Sequence, residues 1–282
     1  MTGPRTKEAP ERGLFAGVDS GSWTTKAVVI NPAAEVVASA IVRTGADLPE
    51  AARDAFARAT EGAGIDRNRI VAVWATGFGR GGIPIADGSR TELDCHARGV
   101  RHYLAGPLTV IDIGGQDAKV IRLDAAGRRI AHKMNRKCAA GTGSFLDEMA
   151  LRLNLSIEQL PELAAGFVEE VELGSFCTVF TGTEVLSAIR MGKRPADLAR
   201  AAYRSVVKRV LEMEVFEGAV AATGGVIAHH PMVLELLEAA LNRPVLVPPH
   251  PQEMGAFGAA LAARENAAAG APAPGAEGGA GS

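Results

Sequence analysis

Residues 17–26 read Gly-Val-Asp-Ser-Gly-Ser-Trp-Thr-Thr-Lys, and residues 110–119 read Val-Ile-Asp-Ile-Gly-Gly-Gln-Asp-Ala-Lys. Both contain D-x-G-x-x-x-x-K, so Asp19 stands to Lys26 as Asp112 stands to Lys119. Outward from each motif, residues 15–42 and 108–134 share a further plan: an apolar strand before the acid, a second after the lysine, then a turn and a third strand. Each copy reads as an antiparallel hairpin whose tip carries an acid and a glycine, because Gly21 and Gly114 permit turn dihedrals that other residues resist. An internal repeat of this length predicts two similar domains. They are placed at 13–106 and 107–265, with the last helix free to pack on the first.

Between and after the copies the period becomes helical. Residues 49–63 are rich in alanine and other helix formers, and 70–77 then supply a strand ending in glycine. Ala202, Val206, Val210 and Met213 mark one apolar helix face, and Val233, Leu236, Leu237 and Leu241 mark another. Between those helices lies an apolar strand closed by Thr223-Gly224-Gly225. Strands followed by helices, twice over, predict an α/β architecture with mixed sheets.

The chain has 282 residues, 47% hydrophobic, and a formal net charge of −2, enough for two modest domains. The charge balance, without a basic stripe, argues against nucleic-acid binding. No apolar run reaches the roughly 18 residues of a membrane span, and residues 1–13 lack the apolar core of a signal peptide. No membrane partner and a cytoplasmic location are expected. Residues 1–12 and 266–282 have too little apolar side chain to fold and are expected to be disordered. Cys95, Cys138 and Cys177 are three widely spaced cysteines, an odd count that speaks against a disulfide framework.

A phosphate chain needs closely approaching backbone N–H groups, hydroxyl or ammonium donors, and a divalent ion held by carboxylates. The first tip offers Gly21, Ser22, Trp23, Thr24, Thr25 and Lys26; the second offers Gly114, Gly115, Gln116 and Asp117. Asp19 and Asp112 are candidates to hold Mg²⁺, directly or through water, and the Thr223-Gly224-Gly225 turn lets backbone lie flat against an adenosine. One such turn alone is an ordinary hairpin; matched copies and a later T-G-G turn point to nucleotide. With the turn motifs in view, the chain resembles the ATPases that share the fold of actin, Hsp70 and sugar kinases. That resemblance implies two ribonuclease-H-like domains flanking a nucleotide cleft. No G-x-x-x-x-G-K-[ST] occurs, which disfavours a P-loop fold.

Cys138 precedes small residues and then a helix with Phe145, Leu146, Met149 and Leu153 on one side. Cys177 precedes a second expected helix with Val185, Leu186 and Ile189 on its buried side. A helix N-terminus lowers a thiol's pKa and stabilises an anionic centre, so both thiols suit ligands or nucleophiles. Two thiolates are half of what a [4Fe–4S] cluster commonly takes, and a twofold dimer would complete the count. A zinc site and two small core residues stay open as readings of the bare residues.

Residues 135–150 (NRKCAAGTGSFLDEMA), 175–185 (SFCTVFTGTEV) and 92–99 (ELDCHARG) look like the activators of 2-hydroxyacyl-CoA dehydratases and the ATP-binding subunits of benzoyl-CoA reductases. The likeness runs from about Leu14 to Ala263. It implies an oxygen-sensitive homodimer with one [4Fe–4S] cluster between subunits, held by Cys138 and Cys177, and an ATPase that delivers low-potential electrons. It implies ATP or ADP with Mg²⁺ at Ser22–Lys26, Gln116, the Gly224-Gly225 turn and Gln252. It also implies an iron–sulfur acceptor, either a dehydratase or a reductase component, and a ferredoxin- or flavodoxin-type donor. Asp19 and Asp112 would manage Mg²⁺, and Gln116 or Asp117 would orient the attacking water. Cys95 and His96 are expected to be structural, and His229-His230 to be a solvated turn. Thr181-Gly182-Thr183 departs from the Ala-Glu-Ser common in the activators, and Trp23 stands where small residues are usual. A sugar or acetate-type kinase lacks an identifiable base here, and a nonhydrolysing scaffold is the third reading.

Overall fold

Strands β1 (Leu14–Ser20), β2 (Thr24–Ile30) and β3 (Val36–Arg43) form the first antiparallel meander, and the register sets Asp19 directly opposite Lys26. This is the protein's computed structural model, and it describes residues 13–135, 139–173 and 178–269, with only the backbone of Thr178 and Val179. After the meander come α1 (Leu48–Gly62), β4 (Ile70–Thr76), the two-residue β5 (Gly88–Ser89) and α2 (Glu92–Tyr103). α1 starts where Asp47 accepts the Glu50 N–H at 2.9 Å, a cap that contributes about 1 kcal/mol. β4 lies parallel to β1 on the side away from β2, giving the sheet order β3-β2-β1-β4-β5.

The second half repeats the scheme. β6 (Leu108–Ile113), β7 (Ala118–Leu123) and β8 (Arg129–Asn135) form the second meander, with Asp112 opposite Lys119. Helices α3 (Gly143–Arg152), α4 (Leu160–Ala165), α5 (Thr178–Arg190) and α6 (Pro195–Leu211) follow. Then come β9 (Ala219–Thr223), α7 (Gly225–His229), α8 (Pro231–Leu241) and α9 (Met254–Ala268). β9 joins β6 in parallel, so the order β8-β7-β6-β9 reproduces β3-β2-β1-β4.

The described chain divides into two units, one from residue 13 to 95 with 255 to 269, the other within 96–254. In the first, Leu14, Ala16 and Val18 of β1 and Ala27 and Val29 of β2 pack with Ala52, Ala55 and Phe56 of α1. On the other face of β1 a Cβ at Gly17 would lie 2.0 Å from the Ala256 carbonyl oxygen, so α9 rests its backbone on the strand. In the second, Phe145, Leu146, Tyr203, Val206 and Val233 pack with Ile111, Ile113 and Val120.

α5 departs from expectation. Val185 is buried as predicted, but Leu186 and Ile189 are 48% and 38% exposed, and Ala188 takes the inner place. The helix turns Val185 and Ala188, three residues apart, to the core that α3 also lines, which rolls Leu186 and Ile189 outward beside the exposed Phe180 and Met191. Among the described residues no helix is long and apolar enough to cross a membrane.

Candidate functional site

The first tip, Gly21 to Trp23, is pinned from the end of β3. Thr44 donates its hydroxyl to the Gly21 carbonyl at 2.7 Å, its N–H to the Trp23 carbonyl at 3.1 Å, and its Oγ1 lies 3.0 Å from that of Thr25. Thr44 was not singled out by the sequence, because nothing near it marks a functional turn. Ser22 and Trp23 are exposed at the tip, while Thr25 is buried below it. Lys26 bends back so that its Nζ is 3.4 Å from Asp19 Oδ2.

The second tip, Gly114 to Asp117, is closed by the Gly114 N–H donating to the Asp117 carbonyl at 2.9 Å. Lys119 donates to Asp112 Oδ2 at 3.2 Å and to Asp117 Oδ1 at 2.7 Å, and Thr223 donates to Asp112 Oδ1 at 3.0 Å. His96 Nδ1 stands 3.6 Å from the same carboxylate, within ion-pair distance when the ring carries a proton. Burial alone would push the Asp112 carboxyl up; His96 and Lys119, with hydrogen bonds from Lys119 and Thr223, outweigh it and hold the carboxyl well below the usual range. Asp117 is thus engaged by Lys119, while Gln116 is exposed at the tip.

The first N–H groups of α3 are taken up by this tip. Gly143 donates to the Gly114 carbonyl at 2.9 Å and Ser144 to the Gly115 carbonyl at 2.8 Å. These are two of the four donors that a helix start leaves without an intrahelical acceptor. The fit there is close: a Cβ at residue 143 would lie 3.3 Å from Gly115 Cα and from Val226 Cγ2.

β9 ends at Thr223, and Gly224 then adopts φ 99° with its N–H on the Pro251 carbonyl at 2.9 Å. A Cβ at Gly224 would sit 2.3 Å from the Ile113 carbonyl oxygen, so only glycine fits. Gln252 lies beside Gly225 and its Oε1 is 2.7 Å from His229 Nε2. The adjacent His230 corrects the expectation of a solvated turn: it is buried, 2.9 Å from the Tyr203 hydroxyl, because α8 folds it under the chain. Burial and neighbouring His229 bring its ring down to about 4, and burial pushes the Tyr203 phenol up.

Cys138 and Cys177 lie outside the described residues. α5 starts directly after Cys177, whereas Ala139 to Thr142 separate Cys138 from α3, whose leading N–H groups already serve Gly114 and Gly115. Cys95 is fully buried, and a Cβ on Gly258 would strike its carbonyl oxygen at 1.8 Å. Among the described residues no group of three or more His, Cys, Asp or Glu could cage a metal. Mg²⁺ bound to nucleotide needs only one or two carboxylates and keeps several waters, a donor chemistry that either carboxylate, Asp19 or Asp112, supplies on its own.

Residues 16–263 match the BadF/BadG/BcrA/BcrD ATPase family. The activator of lactoyl-CoA dehydratase from Anaerotignum propionicum is 38% identical over 89% of this chain and 97% of its own. The (R)-2-hydroxyglutaryl-CoA dehydratase activating ATPase of Acidaminococcus fermentans is 38% identical over the same shares. One of the subunits of benzoyl-CoA reductase from Thauera aromatica is 25% identical over 88% of this chain and 92% of its own. Among solved structures, the Clostridium difficile activator of 2-hydroxyisocaproyl-CoA dehydratase with bound ADPNP superposes with TM-score 0.84 at 36% identity, covering 91% of this chain and 96% of that one. A glucokinase of the ROK family from Streptomyces griseus, 16% identical with TM-score 0.57 and covering 90% of this chain and all of that one, shares the fold alone. The fold is thus shared between the activators and sugar kinases of the ROK family.

Proposed function

Because the chain belongs to the BadF/BadG/BcrA/BcrD ATPase family, we propose that it is an ATP-dependent one-electron donor that activates a 2-hydroxyacyl-CoA dehydratase. In this reading the hairpin tips and the Thr223-Gly225 turn bind ATP. Lys26 and the backbone of the tips hold phosphates, Asp19 and Asp112 hold the hydrated Mg²⁺, and Gln252 flanks the adenosine turn. Gln116, exposed where Asp117 is paired, orients the attacking water. Cys138 and Cys177 of each subunit hold one [4Fe–4S] cluster across a homodimer, and the cluster supplies an electron of very low potential when bound.

The observation that carries this reading is the pair of hydrogen bonds joining Gly114 and Gly115 to the start of α3. It gives the phosphate tip a direct mechanical hold on the helix that follows Cys138, and α3 packs against α5, the helix that follows Cys177. The outward Phe180, Leu186, Ile189 and Met191 of that second segment support a face covered by another copy or by the acceptor. Identity of 38% to activators against 25% to a benzoyl-CoA reductase component favours the dehydratase-type acceptor. The electron source is a small donor of ferredoxin or flavodoxin type.

Anaerobic purification followed by EPR with and without ATP tests the reading: a reduced-cluster signal that changes with nucleotide is expected. Alanine at Cys138 or Cys177 should remove iron and acid-labile sulfide and leave nucleotide affinity close to wild type. Full iron and sulfide in the double variant would overturn the ligand assignment.

A further inference from the structure

The two units repeat more than a hairpin. Lys119, Asp112 and Thr223 are cross-strand neighbours on β7, β6 and β9, and Gly224 follows at φ 99°. Lys26, Asp19 and Thr76 hold the same places on β2, β1 and β4, and Gly77 follows at φ 88°. A Cβ on either glycine would strike the carbonyl oxygen of the residue after the acid: Ile113 at 2.3 Å, Ser20 at 2.6 Å. The Thr76-Gly77 turn is therefore the first unit's counterpart of the Thr223-Gly224 turn.

The quartets differ in their bonding. In the second, the lysine holds Oδ2 of the acid and the threonine holds Oδ1. In the first, Lys26 reaches Oδ2 alone, at the long distance of 3.4 Å. Oδ1 leans toward the turn, 2.4 Å from where a Gly77 Cβ would be. Thr76 Oγ1 is fully buried and has no hydrogen-bond partner among the described residues. Buried hydroxyls are nearly always bonded, so an orphan of this kind marks a partner that arrives in another state.

We propose that Thr76 is a positioning residue for Mg²⁺-nucleotide binding, one that takes hold of Asp19 when phosphates carrying Mg²⁺ draw Lys26 away. Lys26 Nζ already lies 3.4 Å from the place a Gly21 Cβ would occupy, over the tip that the proposed function assigns to phosphates. As it leaves, the Thr76 hydroxyl donates to Asp19 as Thr223 does to Asp112, and the carboxylate stays aimed at the water shell of Mg²⁺. The first tip is the copy that opens to ligand, and the second stays shut. The inference rests on the ATP-binding reading.

The test is ADP affinity of the full-length protein by titration calorimetry, in Mg²⁺ and in EDTA. Thr76→Val keeps the β-branched shape that a strand favours and removes only the hydroxyl. Its affinity in EDTA should equal that of wild type, while the gain on adding Mg²⁺ falls about tenfold, the worth of one hydrogen bond to a charged group. Thr76→Ser should restore the gain, and Thr76→Ala gives the same readout as valine should that variant fold poorly. A full Mg²⁺ gain in both hydroxyl-less variants overturns the proposal, as does an equal loss in Mg²⁺ and EDTA, or a serine variant that restores nothing. A wild-type protein that binds no ADP overturns the proposed function and this inference together; normal ADP binding with unchanged variants overturns the inference alone.

Discussion

Replacing each repeat lysine by methionine should give opposite phenotypes from one chemical change. Lys119 is 4% exposed and ion-paired with Asp112 and Asp117 at 3.2 and 2.7 Å. Lys119→Met leaves the buried Asp112 with Thr223 and His96, and breaking a buried pair by removing one partner costs about 3–5 kcal/mol. In domains of this size 1 kcal/mol moves Tm by roughly 2–4 °C, so the second unit should melt roughly 6–20 °C lower. Lys26 has a longer contact of 3.4 Å to Asp19 and a side chain 14% exposed against 5% for Lys119, so Lys26→Met should cost less stability than Lys119→Met. It should instead weaken ATP binding, about tenfold or more, through the lost charge-assisted bonds to phosphate.

The pH response adds a second check. In wild type the Asp112 carboxyl is held low, so its stabilisation is full above the unfolded value near 4 and is lost as pH falls below it. Without Lys119 the opposing effect of burial dominates and raises the carboxyl, so the variant's deficit should narrow as pH is lowered from 8 towards 5. Thermal melts by circular dichroism across that range, with calorimetry for ATP, decide the matter. Equal Tm losses in the two variants, or a Lys119→Met deficit that widens on acidification, would refute the division of labour between the copies.

Gly77→Ala combines φ 88° with a Cβ 2.4 Å from Asp19 Oδ1, so it should cost about 2–4 kcal/mol and abolish ATP turnover, while Gly81→Ala, with open space around it, should be near neutral in the same melts and assays. The buried His230 ring, brought down to about 4, stays neutral in the fold while the unfolded chain takes up a proton near 6.5. Its contribution should be full above about 6.5 and lost towards pH 4, on the order of 2 kcal/mol; urea midpoints of wild type and His230→Asn that run parallel across that window would exclude it.

The hairpins were legible because the acid, glycine and lysine recur at fixed spacing within strands whose faces alternate, so both meanders and the β9 strand with its T-G-G turn could be placed by pattern. Asp112 facing Lys119 follows from that spacing, but the role of Lys119 as a bridge to Asp117 does not, since it depends on which way a buried side chain bends. The Thr76-Gly77 counterpart was hidden by distance: it follows its hairpin by a different length of chain from the Thr223-Gly224 turn, so aligning hairpins misses it. Thr44 carries no motif at all. α5 misled because Leu186 and Ile189 look like core residues to any periodicity argument, and a helix that leaves apolar residues outside breaks the assumption that such residues face inward. His230 was misjudged because its partner, Tyr203, lies 27 residues away in sequence.

A peptide plane is rigid, and its C=O and N–H belong to neighbouring residues. The carbonyls of Gly114 and Gly115 that cap α3 are therefore in the same planes as the N–H groups of Gly115 and Gln116, which sit at the turn on the other side. An anion drawn to those N–H groups polarises the very amides that grip the helix and tightens both ends of each chain of hydrogen bonds. When it departs the grip slackens, without any core side chain changing its packing. A phosphate held at the loop, as the proposed function has it, would in this way be written into the leverage on α3 by two amide units, a transmission only one peptide thick.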